Sequence, residues 1–576
     1  MFRRRARCAR EPRPPREWAA MEQSSYASGI SGIPLLGETL GAHLDRIAET
    51  FAEREAVVSV HQNVRLTYRA LREETDLIAR GLMALGVRAG DRVGIWSPNN
   101  AEWTVAQFAV PKTGAILVNV NPAYRSSEAS YALRQSGVSV LFMQARYKTS
   151  DYVGLVAEIR SDLPDLRMVV LLGDDELATP LAGAMRYDDV RTAARNVDAA
   201  ALAQRHGAVQ FDAATNIQYT SGTTGFPKGA TLSHHNVLNN GFFIGEFCRY
   251  TEADRVCVPV PFYHCFGMVL GTLAIVSHGA TLVIPAPTFD PRLTLEAVAR
   301  ERCTALYGVP TMFVAELALP DFGSFDCSTL RTGIMAGSPC PVEIMKRVQT
   351  EMHMPEVTIC YGMTETSPVS LQTTFDDPLE KRTSTVGRVH PHVEVKVVDE
   401  GGRVVPRGAM GELCTRGYGV MLGYWNDPAA TAQAIDAARY MHTGDLATMD
   451  AQGYVNIAGR LKDMVIRGGE NVYPREIEEF LYTHPAIEDV SVIGVPDERY
   501  GEEICAWIVL RPGAELDAEG VRAYCRDRIA HYKVPRYIRF VDGFPLTVTG
   551  KVQKYKMREI ATAELGLQSA AAVATA

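Results

Sequence analysis

The chain has 576 residues, 47% hydrophobic and 22% charged side chains, and a formal net charge of −8. This length exceeds what one hydrophobic core usually organises, so several structural units are expected. The acidic balance excludes the basic footprint that a nucleic-acid-binding protein needs. We therefore expect a folded globular protein with no nucleic-acid partner.

The eleven cysteines are scattered and include no Cys-x-x-Cys pair. Disulfide-stapled secreted domains and zinc sites usually show closely spaced cysteines. We therefore expect free thiols in a reducing compartment and no structural zinc. The pairs His234-His235 and His390-x-His392 lack an acidic companion, so neither predicts a metal site.

Residues 1–20 are rich in Arg and Pro and lack the apolar region of a secretory signal. Two interpretations stay open: a mitochondrial transit peptide, or an upstream translation start with Met21 opening the protein. We predict a disordered tail or a non-native start over residues 1–27. The longest apolar stretch, residues 267–285, is interrupted by His278-Gly279. It predicts a buried helix, a turn and a strand, and no transmembrane segment.

From about residue 37 the hydrophobic pattern alternates between helical and strand periodicity. Helices are predicted over Leu40–Arg54, Thr67–Leu85 and Ala101–Thr113, and strands over Ala56–Val60, Arg92–Ser97 and Ala115–Val120. Strands that alternate with helices of this length are typical of α/β layers with largely parallel sheets.

The rest of the chain divides into less and more regular parts. Residues 164–212 are the least regular, and we predict a surface excursion there. After Arg460, helices are predicted around Ile477–Leu481 and over Ala518–Ile529, and strands over Val490–Val495 and Ile504–Leu510, a set of elements large enough to fold alone. The predicted fold class is α/β. A large N-terminal domain of layered α/β subdomains spans residues 28–461, a smaller α+β C-terminal domain spans 462–566, and a flexible tail spans 567–576.

The most specific stretch runs from Thr220 to Gly229 and reads Thr-Ser-Gly-Thr-Thr-Gly-Phe-Pro-Lys-Gly. Glycines let backbone N–H groups converge on an anion, hydroxyls add donors, and a lysine adds positive charge. The spacing is not that of a P-loop, which needs Gly-x-x-x-x-Gly-Lys followed by Ser or Thr. Taken alone, the stretch predicts phosphate binding and nothing more.

Four further motifs follow it in order. They are Tyr361-Gly-Met-Thr-Glu-Thr-Ser-Pro368, Tyr440-Met-His-Thr-Gly-Asp-Leu-Ala447, Gly459-Arg-Leu-Lys-Asp-Met-Val-Ile-Arg-Gly-Gly-Glu-Asn471 and Pro545-Leu-Thr-Val-Thr-Gly-Lys-Val-Gln-Lys554. Together, over roughly residues 30–565, the five motifs resemble the adenylate-forming superfamily of acyl-CoA synthetases, adenylation domains of peptide synthetases, and luciferases. The likeness is strongest to medium-chain acyl-CoA synthetases of the mitochondrial matrix and their bacterial relatives, for example in Asn121-Pro-Ala-Tyr124 and Tyr263-His-Cys-Phe-Gly267.

The resemblance implies a two-step ligase. A carboxylic acid attacks the α-phosphate of ATP to give an acyl-adenylate and pyrophosphate, and coenzyme A then takes the acyl group and releases AMP. It implies ATP, Mg²⁺ and coenzyme A as cofactors and a mobile C-terminal domain. The expected location is the cytoplasm of a bacterium, or the mitochondrial matrix in a eukaryote. The oligomeric state stays open.

The same resemblance assigns roles to individual residues. The β- and γ-phosphates would contact Thr220, Ser221, Gly222, Thr223, Thr224, Gly225, Phe226, Pro227 and Lys228. The adenine would contact Gly337, Ser338 and Tyr361, and the ribose would contact Asp445 and Arg460. The catalytic set would be Thr364 and Lys551 at the α-phosphate, Glu365 as the Mg²⁺ ligand, and His264 beside the acyl carboxylate. Lys462 matches the hinge, and Gly468 and Gly469 match a wall of the pantetheine tunnel, where a simple tight turn is an equal interpretation.

The acid should lie among residues 262–271, 307–313 and 336–338. These segments are apolar and offer no charge for a second carboxylate or an amine, so a medium-chain fatty acid is the expected substrate. Aromatic or short substituted acids stay open, because selectivity for one methylene is only about 1–3 kcal/mol. An acyl-AMP ligase that loads a carrier protein is the other alternative. It is disfavoured because no carrier domain follows residue 565.

Overall fold

The structure is a computed structural model. It describes residues 24–173, 181, 183–220, 227–338, 340–460, 462–467, 470–497, 499–526, 528–547 and 550–568. Of the residues predicted to bind the nucleotide or coenzyme A, Ser221, Gly222, Thr223, Thr224, Gly225, Phe226, Gly468 and Gly469 lie outside these ranges.

The strands of the large domain are β1 (Tyr26–Ser28), β2 (Glu55–Ser59), β3 (Val64–Thr67), β4 (Arg92–Trp96), β5 (Ile116–Asn119), β6 (Val138–Gln144), β7 (Arg146–Tyr147), β8 (Ser150–Asp151), β9 (Met168–Leu172), β10 (Ala184–Arg186), β11 (Ala214–Thr220), β12 (Lys228–Ser233), β13 (Arg255–Cys257), β14 (Thr281–Ile284), β15 (Ala305–Gly308), β16 (Thr332–Ala336), β17 (Glu356–Gly362), β18 (Val369–Gln372), β19 (Arg388–Val389), β20 (Val393–Val398), β21 (Gly411–Gly417), β22 (Gly423–Tyr424), β23 (Met441–Met449) and β24 (Val455–Arg460). Those that follow are β25 (Val465–Arg467), β26 (Glu470–Val472), β27 (Ile487–Asp497), β28 (Gly501–Leu510) and β29 (Tyr537–Phe540).

The α-helices are α1 (Leu40–Thr50), α2 (Tyr68–Ala84), α3 (Ala101–Lys112), α4 (Ser126–Ser136), α5 (Tyr152–Ile159), α6 (Tyr187–Ala193), α7 (Ala199–Gly207), α8 (His234–Cys248), α9 (Ala274–Ser277), α10 (Pro291–Glu301), α11 (Pro310–Leu317), α12 (Val342–Glu351), α13 (Leu379–Ser384), α14 (Pro428–Ala434), α15 (Pro474–Tyr482), α16 (Ala518–Cys525) and α17 (Lys554–Glu564). A π-helix spans Phe266–Leu273 directly before α9.

Two sheets with parallel centres build the layers of the large domain. The nine-stranded sheet has the order β19-β18-β17-β16-β15-β13-β14-β2-β3, and the eight-stranded sheet has the order β10-β9-β6-β4-β5-β11-β12-β22. The strands from β17 to β2 run parallel, as do those from β10 to β11, and antiparallel strands close the edges. Their near-continuous apolar runs follow from burial on both faces. The predicted α/β class is confirmed.

The helices that line the centre of the large domain lie between these sheets. Helix α8 contacts β11 and β12 of one sheet and β17 and β18 of the other, and it packs against the π-helix. The N-cap of α8 is Ser233, whose hydroxyl accepts a hydrogen bond from the Asn236 N–H. Similar caps at Thr39, Thr67 and Asn100 begin α1, α2 and α3, because these side chains accept N–H groups of the first turn.

The apolar stretch 267–285 folds as predicted. The π-helix and α9 are followed by the turn at His278-Gly279 and then by β14. No helix in the described part of the chain is long and apolar enough to cross a membrane.

Two predictions about the irregular segments need correction. The segment over residues 164–212, predicted as a surface excursion, supplies β9 and β10 to the eight-stranded sheet as well as α6 and α7. The predicted N-terminal tail also ends earlier than residue 27, because β1 pairs antiparallel with β20. Residues 1–23 lie outside the described ranges.

A five-stranded antiparallel sheet, in the order β1-β20-β21-β23-β24, ends the large domain. After Arg460 the strands join a separate sheet, β26-β25-β28-β27, with β29 parallel to β28. Helices α15 and α17 pack against β27. The predicted helix over Ala518–Ile529 is shorter, ending at Cys525. The boundary at residues 461 and 462 stays a prediction.

At the predicted C-terminal tail, Leu567 still packs against the apolar cluster around α17.

Candidate active site

The described ends of the phosphate stretch belong to the antiparallel pair β11 and β12. Thr220 and Lys228 are directly opposed in this antiparallel pair, so the two ends of the intervening loop are held together. The Thr220 hydroxyl lies 3.2 Å from an oxygen of Glu365. The Lys228 ammonium lies 5.1 Å from the centre of the Tyr424 ring. Thr220 therefore contacts the second motif, and Lys228 contacts Tyr424 of β22.

Glu365 is buried in a short 3-10 turn that follows β17. One carboxylate oxygen accepts hydrogen bonds from Thr220 and from the Tyr424 hydroxyl, the latter at 2.8 Å. In the described ranges no Lys or Arg comes within ion-pair distance of this carboxylate. A buried carboxylate without a basic partner, beside a phosphate-binding stretch, matches the oxygen ligands that Mg²⁺ takes together with phosphates. The donor set fits the predicted metal.

Tyr361, which is predicted to line the adenine, contacts Asp445, which is predicted with Arg460 to bind the ribose. The Tyr361 hydroxyl donates a 2.5 Å hydrogen bond to Asp445, and the Arg460 guanidinium lies 3.4 Å from the other carboxylate oxygen. Asp445 and Arg460 are also opposed across β23 and β24. Burial raises the pKa of Asp445, and the Arg460 charge and the Tyr361 hydrogen bond oppose that rise. Hydrogen bonds that hold a carboxylate in place leave its remaining lone pairs to accept hydroxyl groups.

Lys551 reaches this site from the C-terminal unit. It lies in a tight turn in which the Thr547 N–H donates to the Lys551 carbonyl and the Lys551 N–H to the Thr547 hydroxyl. Gly550 has a φ of +77° in the turn, and its carbonyl accepts a hydrogen bond from Thr311 of the large domain. A Cβ placed on Gly337 would lie 3.6 Å from Cε of Lys551. The lysine is therefore docked against the end of β16.

The charged and polar groups that act on Lys551 belong to the large domain. Burial and the nearby Arg460 lower the pKa of Lys551, whereas Cys265, Asp445 and Glu365 act in the opposite direction. The lysine is therefore close enough to feel the groups predicted to bind the ribose and the metal. A partly desolvated cation acts on phosphate charge more strongly than an exposed one.

His264 lies on the other side of Lys551. Burial, with a further contribution from the Lys551 charge, lowers the pKa of His264 to about 3, so the imidazole is neutral. Its Nδ1 accepts the Phe266 N–H at 3.1 Å, which places the ring proton on Nε2. The geometry leaves Nε2–H as a neutral donor beside the lysine.

Some residues at the site carried no signal in the sequence. The Cys265 thiol lies 3.6 Å from the Thr364 hydroxyl and joins the His264 loop to the second motif. Tyr424 reaches Glu365 from β22. No spacing rule predicts either contact, because the partners are brought together only by the fold.

A separate cluster of possible metal ligands consists of Glu412, Cys414 and His442. Their potential ligand atoms lie within 4.8 Å of one another. The Glu412 carboxylate already accepts hydrogen bonds from His442 Nδ1 at 2.8 Å and from the Gly444 N–H at 3.0 Å. We assign this group to holding the turn before Asp445 and not to a metal.

The remaining predicted positions are less informative. Gly337 is exposed at the end of β16, and the Ser338 carbonyl accepts from the Cys340 thiol. Lys462 is exposed between β24 and β25. Pro227 ends the phosphate stretch beside β12. These positions are compatible with their predicted roles, which stay predictions.

Comparisons with known proteins identify the family of the chain. The AMP-binding enzyme family profile matches residues 44–425, and the profile of the AMP-binding enzyme C-terminal domain matches residues 476–551. The chain belongs to the family of AMP-binding enzymes.

Named relatives and a solved structure cover almost the whole chain. A Bacillus subtilis protein named "Putative acyl-CoA synthetase YngI" is 48% identical over 539 residues, covering 91% of this chain and 97% of its own. "Medium-chain acyl-CoA ligase ACSF2, mitochondrial" of Bos taurus is 44% identical over 554 residues, covering 93% and 89%. The crystal structure of the anthranilate CoA ligase AuaEII in complex with anthranoyl-AMP superposes with a TM-score of 0.82 at 28% identity, covering 93% of this chain and 99% of that one.

Proposed function

We propose that the protein is an AMP-forming acyl-CoA synthetase that activates a medium-chain fatty acid. The observation that carries the proposal is the docking of Lys551. A half-buried lysine from the C-terminal unit contacts Gly337 and is close enough to His264, Asp445 and Glu365 of the large domain to interact with them electrostatically. A cation between a carboxylate-binding donor and a nucleotide-binding carboxylate suits the joining of an acid to AMP.

The first step is adenylation. A carboxylate oxygen of the acid forms a bond to the α-phosphorus of ATP, and the bond to the pyrophosphate oxygen breaks. Both reactants are anionic, so positioning and cationic stabilisation supply most of the rate enhancement. Lys551 stabilises the α-phosphate and the incoming carboxylate, Thr364 donates to the α-phosphate, and Lys228 neutralises the departing pyrophosphate. The Nε2–H of His264 orients the carboxylate.

Mg²⁺ would be held by Glu365, with the Thr220 and Tyr424 hydroxyl groups fixing the carboxylate. When bound, it supplies charge neutralisation on the phosphate oxygens. Asp445 would accept the ribose hydroxyl groups, with Tyr361 and Arg460 keeping its carboxylate in place.

The second step transfers the acyl group. The thiolate of coenzyme A attacks the carbonyl carbon of the acyl-adenylate, and the bond to the phosphate oxygen breaks to release AMP. In the described orientation Lys551 occupies the carboxylate side of the site. We propose that the C-terminal unit swings about Lys462 after the first step, so that Lys551 leaves and the thiol enters. The roles of Gly468 and Gly469 beside that thiol path stay a proposal.

The apolar acid site favours an aliphatic tail. Phe266, Leu270 and Val309 belong to one buried core cluster and carry no charge. A fatty acid matches this lining better than a dicarboxylic or amino acid, which would need a buried partner for its second charge. An aromatic acid is the second candidate, and the superposition on an anthranilate CoA ligase favours keeping it in the test. We place the protein in the cytoplasm of a bacterial host or the matrix of mitochondria in a eukaryotic one.

The direct test is product analysis. Purified protein is incubated with ATP, Mg²⁺, coenzyme A and, one at a time, straight-chain acids from C4 to C16 and a set of aromatic acids. We expect AMP, pyrophosphate and acyl-CoA in equal amounts, with the highest kcat/KM for acids of medium length. Formation of ADP, or no turnover with any acid, would contradict the proposal. Turnover only when a carrier protein replaces coenzyme A would favour the carrier-loading alternative.

A further inference from the structure

We propose that Tyr307, held in place by Tyr250, closes the far end of the acid site and limits the length of the acyl tail. The inference rests on the proposed function, because it assigns a depth to the acid site of that reaction. It adds a specificity-determining residue that touches the end of the tail and takes no part in the chemistry.

The direction of the tail follows from strand β15. Tyr307 and Val309 are two residues apart, at the end of the strand and just after it, and both face the core cluster that holds the π-helix. The intervening Gly308 carries no side chain. Val309 Cγ1 would lie 3.2 Å from a Cβ on Gly337, beside the docked Lys551. Val309 therefore marks the carboxylate end, and Tyr307 lies about 6.6 Å deeper along the strand.

The side chains between these two levels are apolar. The ring centres of Phe266 and Tyr307 are 5.9 Å apart. On the neighbouring strand β16, Ile334 and Ala336 face the same cluster as Leu270 of the π-helix. These side chains provide walls for an unbranched tail without a polar group along its path.

The far end of the proposed acid site is closed by a hydrogen-bonded pair of tyrosine hydroxyl groups. The Tyr250 hydroxyl donates a 2.9 Å hydrogen bond to the Tyr307 hydroxyl, and both residues are buried. The Tyr250 N–H in turn donates to the Gly245 carbonyl, so the residue is tied to the end of α8. If the Tyr307 ring swung aside, the hydrogen bond between these two buried hydroxyl groups would be lost, which is unfavourable.

A charged network lies directly next to Tyr250 at the end of α8. The adjoining backbone at Arg249 accepts a 2.9 Å hydrogen bond from the Arg331 guanidinium, which also pairs with Asp254 and Glu356. This charged network belongs to the surface of the domain. A tail that reached it would have to bury methylene groups against charges.

The depth can be expressed in carbon atoms. An extended hydrocarbon advances about 1.3 Å per methylene, given C–C bonds of about 1.5 Å. The step of about 6.6 Å from Val309 to Tyr307 then holds about five methylenes. The tail of a medium-chain acid ends near the tyrosine ring, and a much longer one meets it. Each methylene that gains or loses burial changes kcat/KM about fourfold.

The test compares Tyr307→Ala with the matched control Tyr307→Phe, which keeps the ring and removes only the hydroxyl. Adenylation is followed by acid-dependent exchange of labelled pyrophosphate into ATP, with straight-chain acids from C4 to C16. We expect wild type and Tyr307→Phe to prefer the same chain length. Tyr307→Ala should prefer acids at least two carbons longer, with kcat/KM for the best wild-type acid reduced tenfold or more.

An unchanged chain-length preference in Tyr307→Ala, at whatever overall rate, would overturn the inference. If Tyr307→Ala does not fold, Tyr307→Leu is measured by the same criteria, with thermal unfolding as the check on folding. If the wild-type enzyme shows no pyrophosphate exchange with any of the tested acids, the proposed function is overturned instead. The two failures are therefore distinguishable.

Discussion

Thr220 and Glu365 are 145 residues apart in the sequence, yet the Thr220 hydroxyl donates a 3.2 Å hydrogen bond to the Glu365 carboxylate. The bond connects the start of the phosphate stretch to the turn that follows β17. Tyr424 adds a second hydrogen bond to the same oxygen. The carboxylate proposed to bind Mg²⁺ is therefore oriented by Thr220 of the phosphate stretch, and the first two motifs meet at this hydrogen bond.

Replacing Tyr424 with Phe should weaken the use of MgATP. The loss of one hydrogen bond to a charged group costs about 1.5–3 kcal/mol, which is roughly 10- to 150-fold in kcat/KM. The exposed Tyr555→Phe is the matched control, because it lies outside the site. Adenylation is measured as a function of MgATP concentration. An unchanged kcat/KM for MgATP in Tyr424→Phe would contradict the assigned role of this hydrogen bond.

Replacing Tyr361 with Phe should raise the KM for ATP with little change in the KM for the acid. The variant removes the 2.5 Å hydrogen bond to Asp445 and leaves the Arg460 contact in place. Asp445→Asn should have a larger effect, because the amide offers only one acceptor oxygen. Steady-state kinetics with ATP and acid varied separately gives both constants. A selective rise in the KM for the acid would place Tyr361 elsewhere in the site.

The rate of adenylation should fall at high pH earlier than an ordinary lysine would allow. Burial and Arg460 lower the pKa of Lys551 below its usual 10.5, and the lysine acts in its protonated form. As pH rises through the lowered pKa, the cation is lost and the rate falls. His264, with a pKa of about 3, stays neutral and adds no acidic limb above pH 5. Lys551→Arg should move the alkaline limb to higher pH, because the guanidinium keeps its proton. If the alkaline limb of the adenylation rate lay at the same pH in Lys551→Arg as in wild type, a group other than Lys551 would be responsible for it.

Glu316 should make the protein less stable as pH rises. It is buried on α11, neither carboxyl oxygen has a hydrogen-bond partner, and burial raises its pKa well above the usual 4.5. Because the pKa of Glu316 is higher in the folded state than in the unfolded state, the protonated side chain contributes its full stabilisation at pH values below the unfolded pKa. This contribution to the free energy of unfolding is lost as the pH rises toward the folded pKa. The loss is about 1.4 kcal/mol per pH unit in that window. Glu316→Gln should flatten the fall of unfolding free energy between pH 5 and 8.

Denaturant unfolding at several pH values measures this slope. The exposed Glu343→Gln serves as the control and should leave the slope as in wild type. A Glu316→Gln slope equal to that of wild type would mean that Glu316 ionises in the folded protein, with a partner that compensates its charge.

Much of the fold was predictable because its signals are local. The helices that begin at Thr67 and Asn100 have a capping side chain before an amphipathic or apolar run, and the parallel strands read as short apolar segments. The segment over residues 164–212 was mispredicted although β9 is an apolar run of five residues, as long as β4. β10 has only three residues, and its place at the edge of the eight-stranded sheet is set by tertiary pairing and not by local pattern.

The site was predictable wherever a motif carries its own chemistry. Lys551, Asp445 and Thr364 were assigned by their motifs, and the structure brings them close together. Cys265 and Tyr424 were not predicted, because each touches a residue that is far away in the sequence. Tyr307 lies in a segment that was predicted to line the acid, but no motif marks it as the end of the site, because the depth of the site depends on which strands lie behind it.

The split site, with Lys551 supplied by the C-terminal unit, is the central claim, and the two half-reactions of Lys551→Ala test it most directly. Adenylation is measured by pyrophosphate exchange, and thioester formation is measured from supplied acyl-adenylate and coenzyme A. The exposed Lys556→Ala is the control. We expect Lys551→Ala to lose adenylation by at least about 100-fold, as for removal of one transition-state donor, and to keep thioester formation within a few-fold of wild type. Equal loss of both half-reactions, or full adenylation without the lysine, would contradict the account.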